Sequence, residues 1–183
     1  MKNINLNIAV YTIILLIFCG IFSNAYTLDD KGKESELKAV FIYNFTKYIQ
    51  WPDSGNDVFE IAVLGENDVL QPLQEIADKR MVNGKEISVK FYENISDITG
   101  CHMLFISSAF SDQLEDVLKI VNELPILTIS DSADFAKRGV AINFVILDEK
   151  LKFQINPAAI ERAGLVASSQ LQKLAIIIQE EKN

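Results

Sequence analysis

The chain has 183 residues, enough for one domain and short for two, and 49% of them are hydrophobic, so a full globular core is available. Acidic residues number 25 against 17 basic ones, a net charge of −8. That balance repels nucleic acid and anionic lipid headgroups, and no basic stripe offsets it, which excludes nucleic-acid binding as the function.

Residues 1–25 read as a leader. Lys2 supplies a positive n-region, Ile8–Phe22 is an apolar run, and Ser23 and Ala25 are small residues at the −3 and −1 positions before Tyr26. That is the grammar of a secretory signal peptide. The run's 15 residues fall short of the roughly 20 that span a bilayer core, so cleavage between Ala25 and Tyr26 is favoured over retention as a membrane anchor. Cys19 loosely suggests a lipidation site, but Phe18 before it is not small. Cleavage leaves one cysteine, Cys101, which has no intramolecular disulfide partner. Stability must then come from core burial.

Residues 26–34 are polar and read as a linker, after which the domain runs over 35–183. Leu37, Val40, Phe41, Asn44, Phe45 and Tyr48 recur at helical spacing and predict a helix from Ser35 to Ile49, ended by Trp51-Pro52. Val58–Leu64 predicts a strand running into Gly65, then a helix over Asp68–Lys79 with Pro72 near its first turn. Asn83-Gly84 opens a strand over Glu86–Tyr92, and Met103–Ile106 is a central strand buried on both faces. Ser111–Leu124 predicts an amphipathic helix, Ile126–Ile129 a second buried strand, and Ser130–Lys137 a short helix before Gly139. Val140–Leu147 and Leu151–Ile155 predict a hairpin around Asp148-Glu149-Lys150. Asn156 caps a helix with Pro157 at its first position and its end near Gly164; Ser168 or Ser169 caps a last helix with Leu171, Leu174, Ala175 and Ile178 on one face. Alternation of strand and helix predicts a three-layer α/β fold: a mixed, mostly parallel sheet, helices on both faces, and a C-terminal β-hairpin.

Every catalytic pattern in the chain is weak. The one histidine, His102, adjoins Cys101 at the start of a strand, where successive side chains point to opposite faces and do not meet. Gly65 stands alone, followed by Glu66 and Asp68, so no dinucleotide turn is expected there. Ser107-Ser108 lie in no nucleophile elbow. Asp131 and Asp134 with Asp112 or Asp116 are read as exposed acids rather than a cation site. Neither an enzyme, a cofactor nor a metal is expected. The sequons at Asn44 and Asn94 mean little in a bacterial exported chain. Aromatic residues carry more weight: Tyr43, Tyr48 and Trp51 crowd one helix end, and Trp51 at the proline corner is the best single candidate for an exposed anchor.

Five segments in order carry a family resemblance: Leu37 to Pro52 (LKAVFIYNFTKYIQWP), Ile61 to Gly65, Cys101 to Ile106, Leu127 to Asp131, and Phe153 through Ala163-Gly164-Leu165 to Leu171. Together, over about residues 35–177, they resemble the YfiR family of periplasmic proteins. The resemblance implies a periplasmic adaptor with no reaction of its own. It would restrain an inner-membrane diguanylate cyclase through that enzyme's periplasmic region and itself be sequestered by an outer-membrane lipoprotein. Family redox control through cysteine pairs does not carry over, since Cys101 is alone after cleavage.

The leading functional reading is a periplasmic regulatory binding protein, with Trp51, Glu161, Arg162 and Leu165 as its contact patch. Leu165 also has a plainer role, as the apolar contact after a Gly164 helix cap. A homodimer is a further partner reading. The alternative function is a small-molecule-binding module linked to uptake or sensing, which requires a preformed pocket with convergent polar groups. A hydrolase would require titratable groups converging in a cleft. On export from a bacterial host, mass spectrometry is expected to find a chain beginning at Tyr26; a membrane-bound product retaining residues 1–25 overturns the leader assignment.

Overall fold

The structure is a computed structural model that describes residues 26–53, 55 and 57–179. The expected leader, with Cys19 and the cleavage residue Ala25, lies outside the described residues. Helix α1 (Tyr26–Phe45) begins earlier than expected, taking in the segment read as a linker, and stops four residues earlier than Ile49. Residues 26–34 contain no proline and one glycine, so nothing in them stops a helix. The helix stops where Thr46, Lys47 and Tyr48 donate their N–H groups three residues back, tightening the last turn.

The strands are β1 (Ile49–Gln50), β2 (Val58–Leu64), β3 (Met81–Val82), β4 (Lys85–Tyr92), β5 (Met103–Ile106), β6 (Leu127–Ser130), β7 (Ile142–Leu147), β8 (Lys150–Ile155), β9 (Val166–Ala167) and β10 (Ile176–Ile177). Eight form one sheet in the order β10-β8-β7-β6-β5-β2-β4-β3, and β1 pairs with β9 in a separate two-stranded ribbon. The pairs β2–β4, β2–β5, β5–β6, β6–β7 and β8–β10 are parallel, while β3–β4 and the β7–β8 hairpin are antiparallel. The expected mixed, mostly parallel sheet and its C-terminal hairpin are both present.

Each central strand sends alternate side chains to two cores. Phe59, Ile61 and Val63 of β2, Met103 and Phe105 of β5, and Leu127 and Ile129 of β6 meet α1, α2 (Leu70–Ala77), α4 (Pro157–Arg162) and α5 (Ser169–Leu174). Ala62, Leu64, Leu104 and Ile106 meet α3 (Leu114–Val121) with Phe110 and Phe135 on the opposite side. Three layers result.

The burial on α1 is rotated from the expected face: Ala39, Ile42 and Phe45 are buried, whereas Leu37 and Val40 are exposed. An aromatic cluster sets that rotation. Phe45 lies 5.1 Å edge-on to Phe153 and 6.0 Å from Phe144, and Phe41 lies 5.9 and 6.1 Å from the same two rings. Small Ala39 lets the helix approach the sheet.

Three other expectations change. No helix forms over Ser130–Lys137; Asp134 takes a left-handed φ of 62°, and the segment is a series of turns. The helix expected from Ser111 to Leu124 is a 3₁₀ segment (Ser108–Gln113) followed by α3. The kink is at Phe110, whose ring occupies the space a Cβ on Gly65 would need, 2.8 Å away. Phe110 thus fills the place after β2 that a phosphate turn would occupy. Finally, the last helix stops at Leu174, because the β-branched run from Ile176 to Ile178 joins the sheet edge beside β8.

Asn156 behaves as the sequence predicts and does more. Its Oδ1 accepts the Ala159 N–H at 3.1 Å, capping α4, while its Nδ2 donates to the Ala136 carbonyl at 2.8 Å; the residue is fully buried. Asn156→Ala removes the cap and one of the two hydrogen bonds to the Ala136 carbonyl, which keeps the Gly139 N–H at 3.3 Å, so urea unfolding should show a loss of about 1–3 kcal/mol. A loss below about 0.5 kcal/mol would mean the side chain is dispensable.

Candidate functional site

The end of α1 delivers the chain to the Trp51 corner. Thr46 Oγ1 donates to the Tyr43 carbonyl at 2.6 Å, and the backbone then extends into β1, pairing Ile49 with Ala167 and Gln50 with Val166. The Ser168 N–H donates to the Tyr48 carbonyl at 2.8 Å and closes the ribbon. Trp51 is half-buried. Its indole N–H donates to the His102 carbonyl at 3.0 Å, and its ring stands edge-on to Phe59 at 5.2 Å. Phe59 in turn stacks on the His102 imidazole at 4.5 Å.

His102 is clasped to β2 at two points. Its backbone N–H donates to the Glu60 carbonyl at 2.8 Å, and its Nδ1 accepts the Glu60 N–H at 3.0 Å. An accepting Nδ1 assigns the proton of the neutral ring to Nε2. Burial holds the imidazole below its ordinary pKa, and the Lys85 charge adds to that, against an opposing pull from Glu60. Trp51, Phe59, Lys47, Lys85 and His102 line a cavity of about 540 Å³.

Helix α4 ends in a Schellman turn. Gly164, at φ +65°, donates to the Glu161 carbonyl, and Leu165 donates to that of Ile160 at 3.1 Å. The turn drives Leu165 into the core at 4% exposure and leaves its neighbour Val166 58% exposed. Leu165 therefore fills its plainer role. Exposed Glu161 lines a small cleft of about 170 Å³ with Leu165, Val166 and Gln172. Arg162 lines a different groove, of about 510 Å³, shared with Glu115, Lys119, Glu123 and Arg138. The β1–β9 ribbon thus brings Trp51 and Leu165 to one end of the same two-stranded element, with Glu161 beside it, while Arg162 faces α3. The sequence did not point to Val166, and it showed His102 only as the neighbour of Cys101, not as the partner of Trp51. Val166 lies in a strand too short for any period to register, and His102 meets Trp51 across 51 positions of chain.

The other candidate reactive groups are engaged in structure. Cys101 packs on the α3 side of the sheet, opposite the Phe59 that His102 stacks on, and burial pushes its thiol pKa up to about 12, so it is protonated and unreactive at neutral pH. Ser107 Oγ donates to the Glu66 carbonyl at 2.9 Å. Asp131 pairs with Lys38 at 2.7 Å, Asp116 with Lys119 at 3.0 Å and Asp134 with Lys137 at 3.1 Å. Among the described residues, no group of three or more His, Cys, Asp or Glu is placed to hold a metal ion, and no helix is long and apolar enough to cross a membrane.

The sequence matches the family model described as YfiR/HmsC-like over residues 35–176. The chain belongs to the YfiR/HmsC-like family. YfiR-like proteins are periplasmic and regulatory, and they act in cyclic-di-GMP signalling through membrane signalling proteins. A conserved domain protein of Vibrio cholerae O1 biovar El Tor shares the fold with a TM-score of 0.54 at 12% identity, over 80% of this chain and 60% of its own. The match thus spans about 60% of that protein's length, and the likeness concerns the fold alone. No curated protein matches the sequence.

The clasp on His102 has a pH signature. The folded protein binds the imidazole proton less readily than the unfolded chain, whose histidine titrates near 6.5. The stabilisation is therefore complete above that pH and declines as pH falls below it. His102→Gln keeps an acceptor for the Glu60 N–H but does not titrate. Urea midpoints measured from pH 7.5 to 5 should fall more steeply for the native protein than for this variant; parallel profiles would show that His102 does not contribute.

Proposed function

We propose that the protein is a periplasmic repressor that binds the periplasmic domain of a membrane-bound diguanylate cyclase and holds it inactive, with an outer-membrane lipoprotein as the competitor that relieves repression. The contact patch in this reading is the exposed side of the β1–β9 ribbon with the end of α4: Trp51, Glu161 and Val166, seated on buried Leu165, with Arg162 left out because it faces the separate groove beside α3. The family match supports the regulatory role. The observation that carries the choice of surface is the 58% exposed Val166 held on a short ribbon whose other strand leads into Trp51. An apolar residue on a rigid element, beside a carboxylate and an indole, suits a binding anchor with a polar rim.

Repression of this kind requires no chemistry. The repressor must bind the inactive cyclase more tightly than the active one, and the ratio of the two affinities sets how far the population shifts. Removal of the N-terminal leader places the domain in the compartment of the cyclase's sensory region.

The test is a pull-down and titration against that periplasmic domain. Val166→Glu and Glu161→Lys alter exposed positions and should each weaken binding about tenfold or more, near 1.4 kcal/mol. Lys150→Gln, at the far hairpin, should bind as the native protein does. Native affinity in both the Val166 and the Glu161 variant would remove this patch as the docking surface.

A further inference from the structure

The cavity beside Trp51 carries more basic than acidic side chains on an acidic chain. The chain carries a net −8, yet Asp53 is the one acidic residue among those lining this space, against Lys47 and Lys85. Asp53 is turned back on its own loop, where Oδ1 accepts the Gly55 N–H at 3.1 Å. Lys47 is held to Asn44 Oδ1 at 2.8 Å and lies over the Tyr43 ring. Among the described residues no carboxylate pairs with Lys85, whose charge is felt at His102.

Two further features define what the walls offer. The Nδ1 of His102 is committed to the Glu60 N–H, which leaves a neutral Nε2–H as the ring's remaining donor. The indole N–H of Trp51 is likewise committed, to the His102 carbonyl, so toward a ligand the indole has only hydrocarbon and π surface to give. An ammonium group and a fixed neutral N–H donor form complementary contacts to the two oxygens of a carboxylate. A flat apolar wall beside them favours a ligand with an apolar body. The volume of about 540 Å³ lies within the roughly 300–1,000 Å³ typical of small-molecule sites.

We propose that this cavity is a binding site for a small organic carboxylate with an apolar body, with Lys85 and the Nε2–H of His102 taking the carboxylate and Trp51 packing against the remainder. The site stands apart from Glu161 and Arg162 and does not require the cyclase reading. It shares Ile49 and Gln50 with the ribbon and Trp51 with the contact patch argued above, so an occupied cavity adjoins that surface.

The chain's single tryptophan makes the test direct, since a ¹⁵N-labelled sample gives one indole N–H resonance. The probes are phenylacetate and its uncharged analogue 2-phenylethanol, titrated into the exported, processed protein at pH 7.5. Phenylacetate should move the Trp51 indole resonance saturably, and 2-phenylethanol should bind about tenfold more weakly or worse, because it lacks the charge. Lys85→Gln, at an accessible strand position, should reduce phenylacetate affinity by a similar factor and leave the weak binding of 2-phenylethanol unchanged. His102→Gln gives a second check that keeps the Glu60 contact while replacing the Nε2 donor. No saturable shift up to about 10 mM phenylacetate, equal affinity for the two probes, or unchanged affinity in Lys85→Gln each overturns the proposal. None of these measurements involves the cyclase, so failure here leaves the docking reading standing, and the reverse holds too.

Discussion

The seating of Phe45 between Phe144 and Phe153 is the contact on which the candidate site depends. It joins α1 to the β7–β8 hairpin and fixes both the rotation of the helix and the point where it stops. Aromatic pairs of this type contribute about 0.5–1.5 kcal/mol each beyond area burial. The Lys38–Asp131 ion pair adds a second tie, between the same helix and the end of β6. From that stop the chain has three residues before β1 begins, so the packing of phenyl rings also sets where Trp51 lies. Trp51 then closes a chain of contacts through His102, Phe59 and Glu60 onto β2 and β5. The cavity and the ribbon are both built on this sequence of contacts.

Much of the fold was legible because its signals are local. The continuous apolar runs of β5 and β6, the turn at Asn83-Gly84, the hairpin and the Asn156-Pro157 start each declare themselves within a few residues. The two-residue strands do not, since a period of two cannot be read from two positions. The rotation of α1 was hidden because Leu37 and Val40 are as apolar as the residues that are buried; only the phenylalanines on the sheet decide between them. Asp134 reads as helix-compatible until its left-handed backbone is seen. In the candidate site, Trp51 was visible as an aromatic residue at a proline corner, but its partner His102 comes from a distant strand. Nothing in either segment names the other.

The groups that could have carried chemistry are used to hold the structure. Cys101 is buried and protonated, Ser107 is tied to Glu66, and the aspartates at the strand and helix ends pair with lysines. The repressor reading proposed above asks only for shape and surface, since a regulator acting by occupancy needs no reactive centre. In that reading the protein conveys information through the difference between two binding free energies.

The Schellman turn at Gly164 has a consequence for how such a surface can diversify. It sends two consecutive apolar residues in opposite directions, Leu165 inward and Val166 outward. One position answers to the interior and its neighbour to whatever lies outside. Substitutions at the outward residue can therefore explore new recognition without disturbing the framework, and the inward residue keeps the display in register while they do.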